Sequence, residues 1–267
     1  MRLLDDIRRD RNEIAPLLIV GVFLLFAELI LGGFEAFPDT DEYFETVEWY
    51  MDGSGEEFPL RIQRPLQILV VALIEPIMGA EGAFVLVNSV LFLASIPFFY
   101  LFCRSILPRR DDAVAAAVFF LCSFSVLYWG LALLTDMLVW FCISVSFYLL
   151  ARISMTWESH DMYMLAAVVG IGILNKESAV SAGLVFLFLY VVHQRRQKRN
   201  LLRTATSVAP LVLVMGLPFL IVQLAIFYVF GPGYSFFDYH LTHTGGDVRG
   251  ELWYLPVTFA IAFNVAL

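Results

Sequence analysis

The chain has 267 residues, of which 60% are hydrophobic and 16% charged, and its mean hydropathy is +0.78. This composition is too apolar for an ordinary soluble domain, and a formal net charge of −8 argues against nucleic acid as a partner. The longest apolar runs reach the roughly 20 residues that cross a hydrocarbon core about 30 Å thick. The sequence therefore predicts an all-α fold, a polytopic bundle of transmembrane helices.

Apolar runs along the chain predict about eight spans in a single domain, 1–267. The segment 65–78 contains Glu75-Pro76 and is too short to cross, so we expect it to lie along the outer membrane surface. The chain stops inside an apolar run, Ala262–Leu267, and we expect the domain to be incomplete at its C-terminus. The spans are predicted at about 14–33, 82–103, 113–132, 134–151, 162–174, 178–193 and 207–230, with an eighth beginning near Trp253.

Lys and Arg in short loops mark the cytoplasmic side of a membrane protein. Here they concentrate in residues 2–11, 104–110 and 195–203. The N-terminus is therefore predicted to be cytoplasmic in a cell-membrane protein. Because successive spans cross the membrane in alternating directions, two loops are predicted to lie outside: 33–80, with interfacial helices, and 231–252.

The loop after the first span is the most acidic part of the chain. Residues 33–64 hold nine acidic side chains against two arginines, a formal balance of −7. From Asp41 to Asp52 the acids recur at the spacing of one helical face. Asp39 and Asp41 are candidate functional acids. The alternatives are that Asp39 caps this helix, with Glu42 closing a capping box, and that Asp41 is a solvated first-turn acid.

Cationic and acidic residues at the predicted outer face indicate an anionic ligand. Arg61 and Arg64 precede the interfacial helix, where arginines bind phosphate at headgroup depth or simply extend to lipid phosphate. Lys176 runs against the positive-inside bias, which favours ligand contact over pairing with Glu177 or a lipid. Asp136 begins span four, either as a functional acid or as an ordinary helix-start residue.

Metal and disulfide chemistry receive little support from the sequence. The three cysteines all lie inside apolar runs, where free thiols pack as small hydrophobes. The loop 231–252 contains His240, His243 and Asp247, a spacing that suits a metal ligand set but is also common in merely polar loops. We assign no metal site, and the need for a divalent cation stays open.

Taken in order, several short motifs resemble those of the GT-C superfamily of membrane glycosyltransferases. The nearest branch holds protein O-mannosyltransferase-like and aminoarabinose-transferase-like enzymes, and the resemblance covers about residues 10–195. The matching elements are Asp41-Glu42-Tyr43, Arg64-Pro65-Leu66, Asn88, Thr135-Asp136 and the Gly-x-x-x-Lys-Glu segment that ends at Lys176-Glu177.

The resemblance implies transfer of a hexose or pentose from a polyprenyl-phosphate donor to an acceptor hydroxyl on the extracytoplasmic side. The acceptor would be a glycan, a lipid or a protein. No cofactor is firmly implied beyond the lipid-linked donor. Asp41, or Asp39 in its place, would be the general base, and Asp136 would orient the acceptor or sugar. The donor phosphate would be held by Arg61, Arg64 and Lys176, and further acceptor or sugar contacts would come from Glu42, Tyr43, Glu177, His240 and His243.

Two other functions are compatible with an acidic membrane protein. A secondary transporter or channel normally places its carboxylates near mid-membrane, often within inverted repeats. Here the acids cluster in an outer loop and no repeat is evident, which favours the enzyme. The third hypothesis is a non-catalytic membrane subunit.

Overall fold

The computed structural model describes residues 2–31, 34, 36–53, 59–62, 65–198, 200–231 and 234. Regular structure in these ranges is helical, which agrees with the all-α prediction. A π-helical turn, Ser125–Gly130, follows α6, and a 3-10 turn, Glu177–Ala179, follows α8. The helices are α1 (Arg2–Arg9), α2 (Arg11–Leu31), α3 (Thr40–Asp52), α4 (Pro59–Ile62), α5 (Pro65–Ile106), α6 (Arg110–Leu121), α7 (Asp136–Thr156), α8 (Ser159–Asn175), α9 (Val180–Arg196) and α10 (Leu201–Phe230).

Among the described residues, four helices are long and apolar enough to cross a membrane, namely α2, α5, α7 and α10. Their outward faces carry large exposed apolar side chains, such as Phe23 on α2 and Val229 on α10. Surfaces of this kind suit contact with lipid chains, so the chain is an integral membrane protein. The total of about eight spans is not confirmed, since α8 and α9 have only 17 residues each and the region near Trp253 lies outside the described ranges.

One predicted span differs from the structure. The sequence predicts a continuous helix over 113–132, whereas α6 ends at Leu121 and residues 131–135 have no regular helix. Ser123 lies at the break, and both its carbonyl and its hydroxyl oxygen accept the N–H of Val126, at 3.1 and 3.4 Å. Serine commonly ends a helix in this way because its side chain competes for backbone hydrogen bonds.

Helix α5 is bent at Gly79, whose φ of 76° and ψ of 162° lie outside the helical region. Glycine adopts a positive φ without the steric cost that a Cβ would add. The bend separates residues 65–78 from residues 80–106, close to the predicted boundary between the interfacial segment and the span at 82–103. The placement of residues 65–78 along the membrane surface stays a prediction.

Two apolar clusters hold the helices together. The larger runs through α2, the second part of α5 and α6 to α10, with Phe92 and Phe186 fully buried. The smaller joins Tyr43 and Val47 of α3 to both parts of α5 and to residues 132–134. The smaller cluster therefore packs the acidic helix α3 against the end of the bundle where α7 begins.

Helices α8 and α10 pack closely together at Gly170. A Cβ built there would lie 2.9 Å from the carbonyl oxygen of Met215 and 3.1 Å from that of Val214. Small residues at such crossings let membrane helices pack backbone against backbone.

We predict that Gly170→Ala lowers the thermal midpoint of the detergent-solubilised protein, because the added methyl group must push α10 away. Gly216→Ala is the matched control, since a Cβ there meets no atom within 4 Å and alanine favours a helix by about 1 kcal/mol over glycine. The midpoints are measured by fluorescence-detected size exclusion after heating. Equal midpoints for the two variants would contradict this account of the contact.

Candidate functional site

The site is organised around residues 131–135, which we call the buried bend. This segment joins the π-helical turn to α7, and each of its side chains is at most 7% exposed. A buried segment without helical hydrogen bonds must find other partners for its backbone carbonyls.

Side chains from three helices supply those partners. Asn88 donates through Nδ2 to the carbonyl oxygens of Ala132, at 2.7 Å, and Leu134, at 3.1 Å. Gln67 donates to the Leu134 oxygen at 3.2 Å and to Oδ1 of Asn88 at 2.7 Å. The buried bend is thus tied to both parts of α5.

Two further donors come from α3 and α8. Thr40 Oγ1 donates to the carbonyl oxygen of Leu133 at 3.3 Å, and Asn175 Nδ2 donates to that of Thr135 at 2.6 Å. The start of α3 and the end of α8 are therefore anchored on the same short segment.

A second group, the Arg61 cluster, consists of Asp39, Glu42, Tyr43 and Arg61. The Arg61 side chain is 7% exposed, with Nη2 2.6 Å from Asp39 Oδ2 and Nε 2.9 Å from Glu42 Oε2. Its Nη1 donates to Tyr43 Oη at 3.2 Å, and Cζ lies 4.5 Å from the centre of that ring. Burial lowers the pKa of Arg61, whereas Tyr43, Asp39 and Glu42 raise it, and the net effect is a pKa above the usual value. Arg61 therefore remains cationic.

These contacts decide against the capping alternative for Asp39. Asp39 occupies the N-cap position of α3, but its side chain makes no capping hydrogen bond. Glu42 instead accepts from Arg61 Nε. Thr40 Oγ1 accepts the N–H of Phe37 at 2.8 Å, and the Thr40 N–H donates back to the Phe37 oxygen, so this pair closes the turn before α3.

Asp136 and Lys176 form a second ion pair, with Lys176 Nζ 2.6 Å from Asp136 Oδ1. The side chains are partly accessible, at 22% exposed for Asp136 and 32% for Lys176. Asp136 opens α7, and Lys176 follows α8 in an extended conformation. The preceding residues, Thr135 and Asn175, are hydrogen-bonded to each other, so two neighbouring contacts align the end of α8 with the start of α7.

The two charged groups are joined through Tyr43. Thr135 Oγ1 donates to Tyr43 Oη at 3.3 Å, and Thr135 is followed directly by Asp136. Residues of the acidic loop, of the start of α7 and of the end of α8 are thus in contact, although they are far apart in sequence.

Asp41 lies in the first turn of α3, and its side chain is exposed. Within the described ranges its carboxylate has no hydrogen-bond or ion-pair partner. Its role as a base stays a prediction.

Several predicted site residues cannot be placed. Arg64, His240 and His243 lie outside the described residues, as does the side chain of Glu177. In the ranges that are described, no group of three or more His, Cys, Asp or Glu side chains is arranged to hold a metal ion.

Sequence reasoning missed most of the residues that hold the buried bend. The sequence singles out Asn88 only through the family resemblance and does not single out Thr40, Gln67 or Asn175 as site residues. A usable signal existed, because amide side chains inside apolar runs are costly in a membrane and are kept where they satisfy other polar groups. Gln67 in PLQILVV and Asn88 in LVNSVL both fit that description.

Comparison with known proteins identifies one family. Residues 64–222, more than half of the chain, match the family described as dolichyl-phosphate-mannose-protein mannosyltransferase. This match confirms the resemblance to GT-C membrane glycosyltransferases. Searches of curated proteins and of solved structures find no match.

We predict that Asn88→Leu destabilises the protein and reduces its activity together, because it removes the Nδ2 donor shared by the oxygens of Ala132 and Leu134. The Ala132 oxygen keeps the N–H of Leu134, and the Leu134 oxygen keeps Gln67, so the cost is that of the lost buried hydrogen bonds, about 0.5–1.5 kcal/mol each. The measurement is the thermal midpoint in detergent, with the exposed Gln197→Leu as control. An unchanged midpoint for Asn88→Leu would show that the buried bend does not depend on this side chain.

Proposed function

Because this chain belongs to the dolichyl-phosphate-mannose-protein mannosyltransferase family, we propose that it transfers mannose from a polyprenyl-phosphate donor to an acceptor hydroxyl. The family is one of membrane glycosyltransferases that use a lipid-linked sugar. The acceptor hydroxyl belongs to a protein or a glycan, and transfer takes place on the extracytoplasmic side.

The observation that carries the proposal is the partly exposed pair of Asp136 and Lys176. A lysine ammonium has three N–H donors, and Asp136 Oδ1 engages one of them. The remaining donors are available to the oxygens of a phosphate. Asp136 Oδ2, which has no partner among the described residues, is available to accept from a sugar or acceptor hydroxyl.

The base is proposed to be Asp41. Its carboxylate is exposed on the first turn of α3, which the Thr40 and Tyr43 contacts hold beside the start of α7. An acceptor hydroxyl bound between α3 and the Asp136–Lys176 pair would lose its proton to this carboxylate. Asp39 is the second candidate, although its carboxylate is already engaged by Arg61.

The proposed reaction is a single displacement at the anomeric carbon. The acceptor oxygen loses its proton to Asp41 and forms a bond to that carbon, while the bond from the carbon to the phosphate oxygen breaks. Polyprenyl phosphate leaves with the bonding electrons, and the configuration inverts. Lys176 and Arg64 stabilise the charge that develops on the departing phosphate.

Arg61 is also proposed to contact the donor phosphate, but its geometry sets a condition. Three of its N–H groups already face Asp39, Glu42 and Tyr43. A phosphate must therefore use the two remaining N–H groups or displace a carboxylate.

The extracytoplasmic location is supported by the distribution of charge at the two ends of the bundle. Helices α7 and α8 run in opposite directions. Arg152 near the end of α7 and Asp161 near the start of α8, whose side chains are 3.0 Å apart, therefore lie at the opposite end of the bundle from the Asp136–Lys176 pair. The basic end of α9 lies there too, since His193 stacks on Trp157 at 3.6 Å. The positive-inside rule assigns this basic end to the cytoplasm and the site to the other face.

We predict that Asp41→Asn lowers mannose transfer by about 10²–10⁴-fold, the usual contribution of a general base, and leaves donor binding near normal. The assay follows radiolabelled mannose from polyprenyl-phosphate mannose in membranes. Glu48→Gln is the control, because Glu48 is another exposed acid of α3 and its loss should change transfer by less than about twofold. If Asp41→Asn retains full activity, Asp39 becomes the candidate base. If Asp39→Asn also retains full activity, the mechanism is refuted.

A separate prediction concerns sidedness. In a chain whose native cysteines are replaced by alanine, single cysteines at Ser54 and Gly245 should react with an impermeant thiol reagent in intact cells. A cysteine at Gln197, which follows the basic end of α9, should react only after the membrane is opened. The opposite pattern would invert the orientation and move the site to the cytoplasm.

A further inference from the structure

The hydroxyl of Tyr43 lies where the acidic helix α3 meets the start of α7. Its side chain is 3% exposed, and its ring packs beneath Arg61 and against Phe84, with ring centres 6.2 Å apart in the second contact. This burial favours a role inside the protein over direct contact with a sugar.

Through Thr135, the Tyr43 hydroxyl connects α3 to the start of α7 and the end of α8. Thr135 is 1% exposed, donates through Oγ1 to Tyr43 Oη and accepts Asn175 Nδ2 on its carbonyl oxygen. Asp136 and Lys176 are the next residues along the chain from Thr135 and Asn175. Two residues before Tyr43 on the same helix stands Asp41.

We propose that the Thr135–Tyr43 hydrogen bond sets the distance between the carboxylates of α3 and the Asp136–Lys176 pair, so that Tyr43 and Thr135 are positioning residues for sugar transfer. This inference rests on the proposed function for its kinetic consequence. The base lies on α3, whereas the phosphate and sugar ligands lie on the ends of α7 and α8, which Asn175 holds independently of Tyr43.

Loss of the Thr135–Tyr43 hydrogen bond therefore affects the alignment of base and donor more than the binding of the donor. Displacements of about 1 Å cost on the order of 10²-fold in rate when reacting groups must be aligned. Thr40 still ties α3 to the buried bend through the Leu133 oxygen, so the helix stays docked and a loss of about tenfold in kcat is expected.

The test is a double-mutant cycle. Tyr43→Phe and Thr135→Val should each lower kcat about tenfold with donor KM within about twofold of the wild type. The double variant should be no worse than Tyr43→Phe alone, because Thr135→Val removes a bond that Tyr43→Phe already removes together with the Arg61 contact. Thr135→Ser keeps the hydroxyl and should restore most of the rate.

Tyr50→Phe is the matched control. It removes a hydroxyl from the same helix, one that donates to the carbonyl oxygen of Ile62 at 3.2 Å and does not touch the buried bend. Its kcat should stay within about twofold of the wild type.

Three kinetic outcomes would overturn the proposal: unchanged kcat in Tyr43→Phe, losses that multiply to about 100-fold in the double variant, or a loss confined to donor KM. Thermal midpoints measured alongside identify general unfolding. A lower midpoint with unchanged kcat per folded enzyme would mean that the bond is only structural.

A spectroscopic measurement keeps the test independent of activity. Spin labels at the exposed positions Glu48 of α3 and Val180 of α9 report the distance between α3 and the site end of the bundle. Tyr43→Phe and Thr135→Val should broaden the distance distribution, whereas Tyr50→Phe should not. If the wild type transfers no sugar, the proposed function fails, and the distance distributions still decide whether the hydrogen bond positions α3; unchanged distributions would refute that.

Discussion

The structure depends on how the buried bend satisfies its backbone. Residues 131–135 pass through the protein without helical hydrogen bonds, and four side chains from α3, α5 and α8 donate to their carbonyl oxygens. Leaving these oxygens unpaired away from water would cost more than most single contacts contribute. Elements distant in sequence are therefore held in one arrangement by a requirement of the backbone.

That requirement also positions the charges. The first residue of α7 and the residue after α8 become neighbours because Thr135 and Asn175 are hydrogen-bonded, which places Asp136 against Lys176. On the other side, Thr40 and Tyr43 bring α3 and the Arg61 cluster onto the same segment. Asp136 and Lys176 remain partly accessible while the groups that orient them are buried, an arrangement that suits a site for an ionic substrate.

Ion pairs occur at both ends of the bundle, but they differ in how much hydrogen-bonding capacity they leave available to a ligand. At the basic end, Arg152 contacts Asp161 and Tyr148, whose hydroxyl also donates to Asp6 of α1 at 2.7 Å. This network joins α1, α7 and α8, and its central pair is largely buried, with Arg152 14% and Asp161 2% exposed. At the site end, Lys176 and Asp136 each keep hydrogen-bonding capacity toward solvent, which is the feature a ligand needs.

The sequence by itself determined the membrane class, the all-helical fold, the family and the acidic loop with its α3 helix. The family rests on the resemblance of short motifs taken in order, whereas the membrane class, the helical fold and the acidic loop follow from composition, run length and periodicity, which act locally along the chain. The sequence also selected Asp136 and Lys176, since charged residues at the ends of apolar runs are conspicuous. Only the tertiary structure decided that these two residues pair with each other, and that Asp39 and Glu42 face Arg61 and do not cap the start of α3. Likewise, the break after Leu121 and the donor roles of Gln67, Asn88 and Asn175 follow from which carbonyl oxygens become buried, and burial is set by the packing of helices that are distant in sequence.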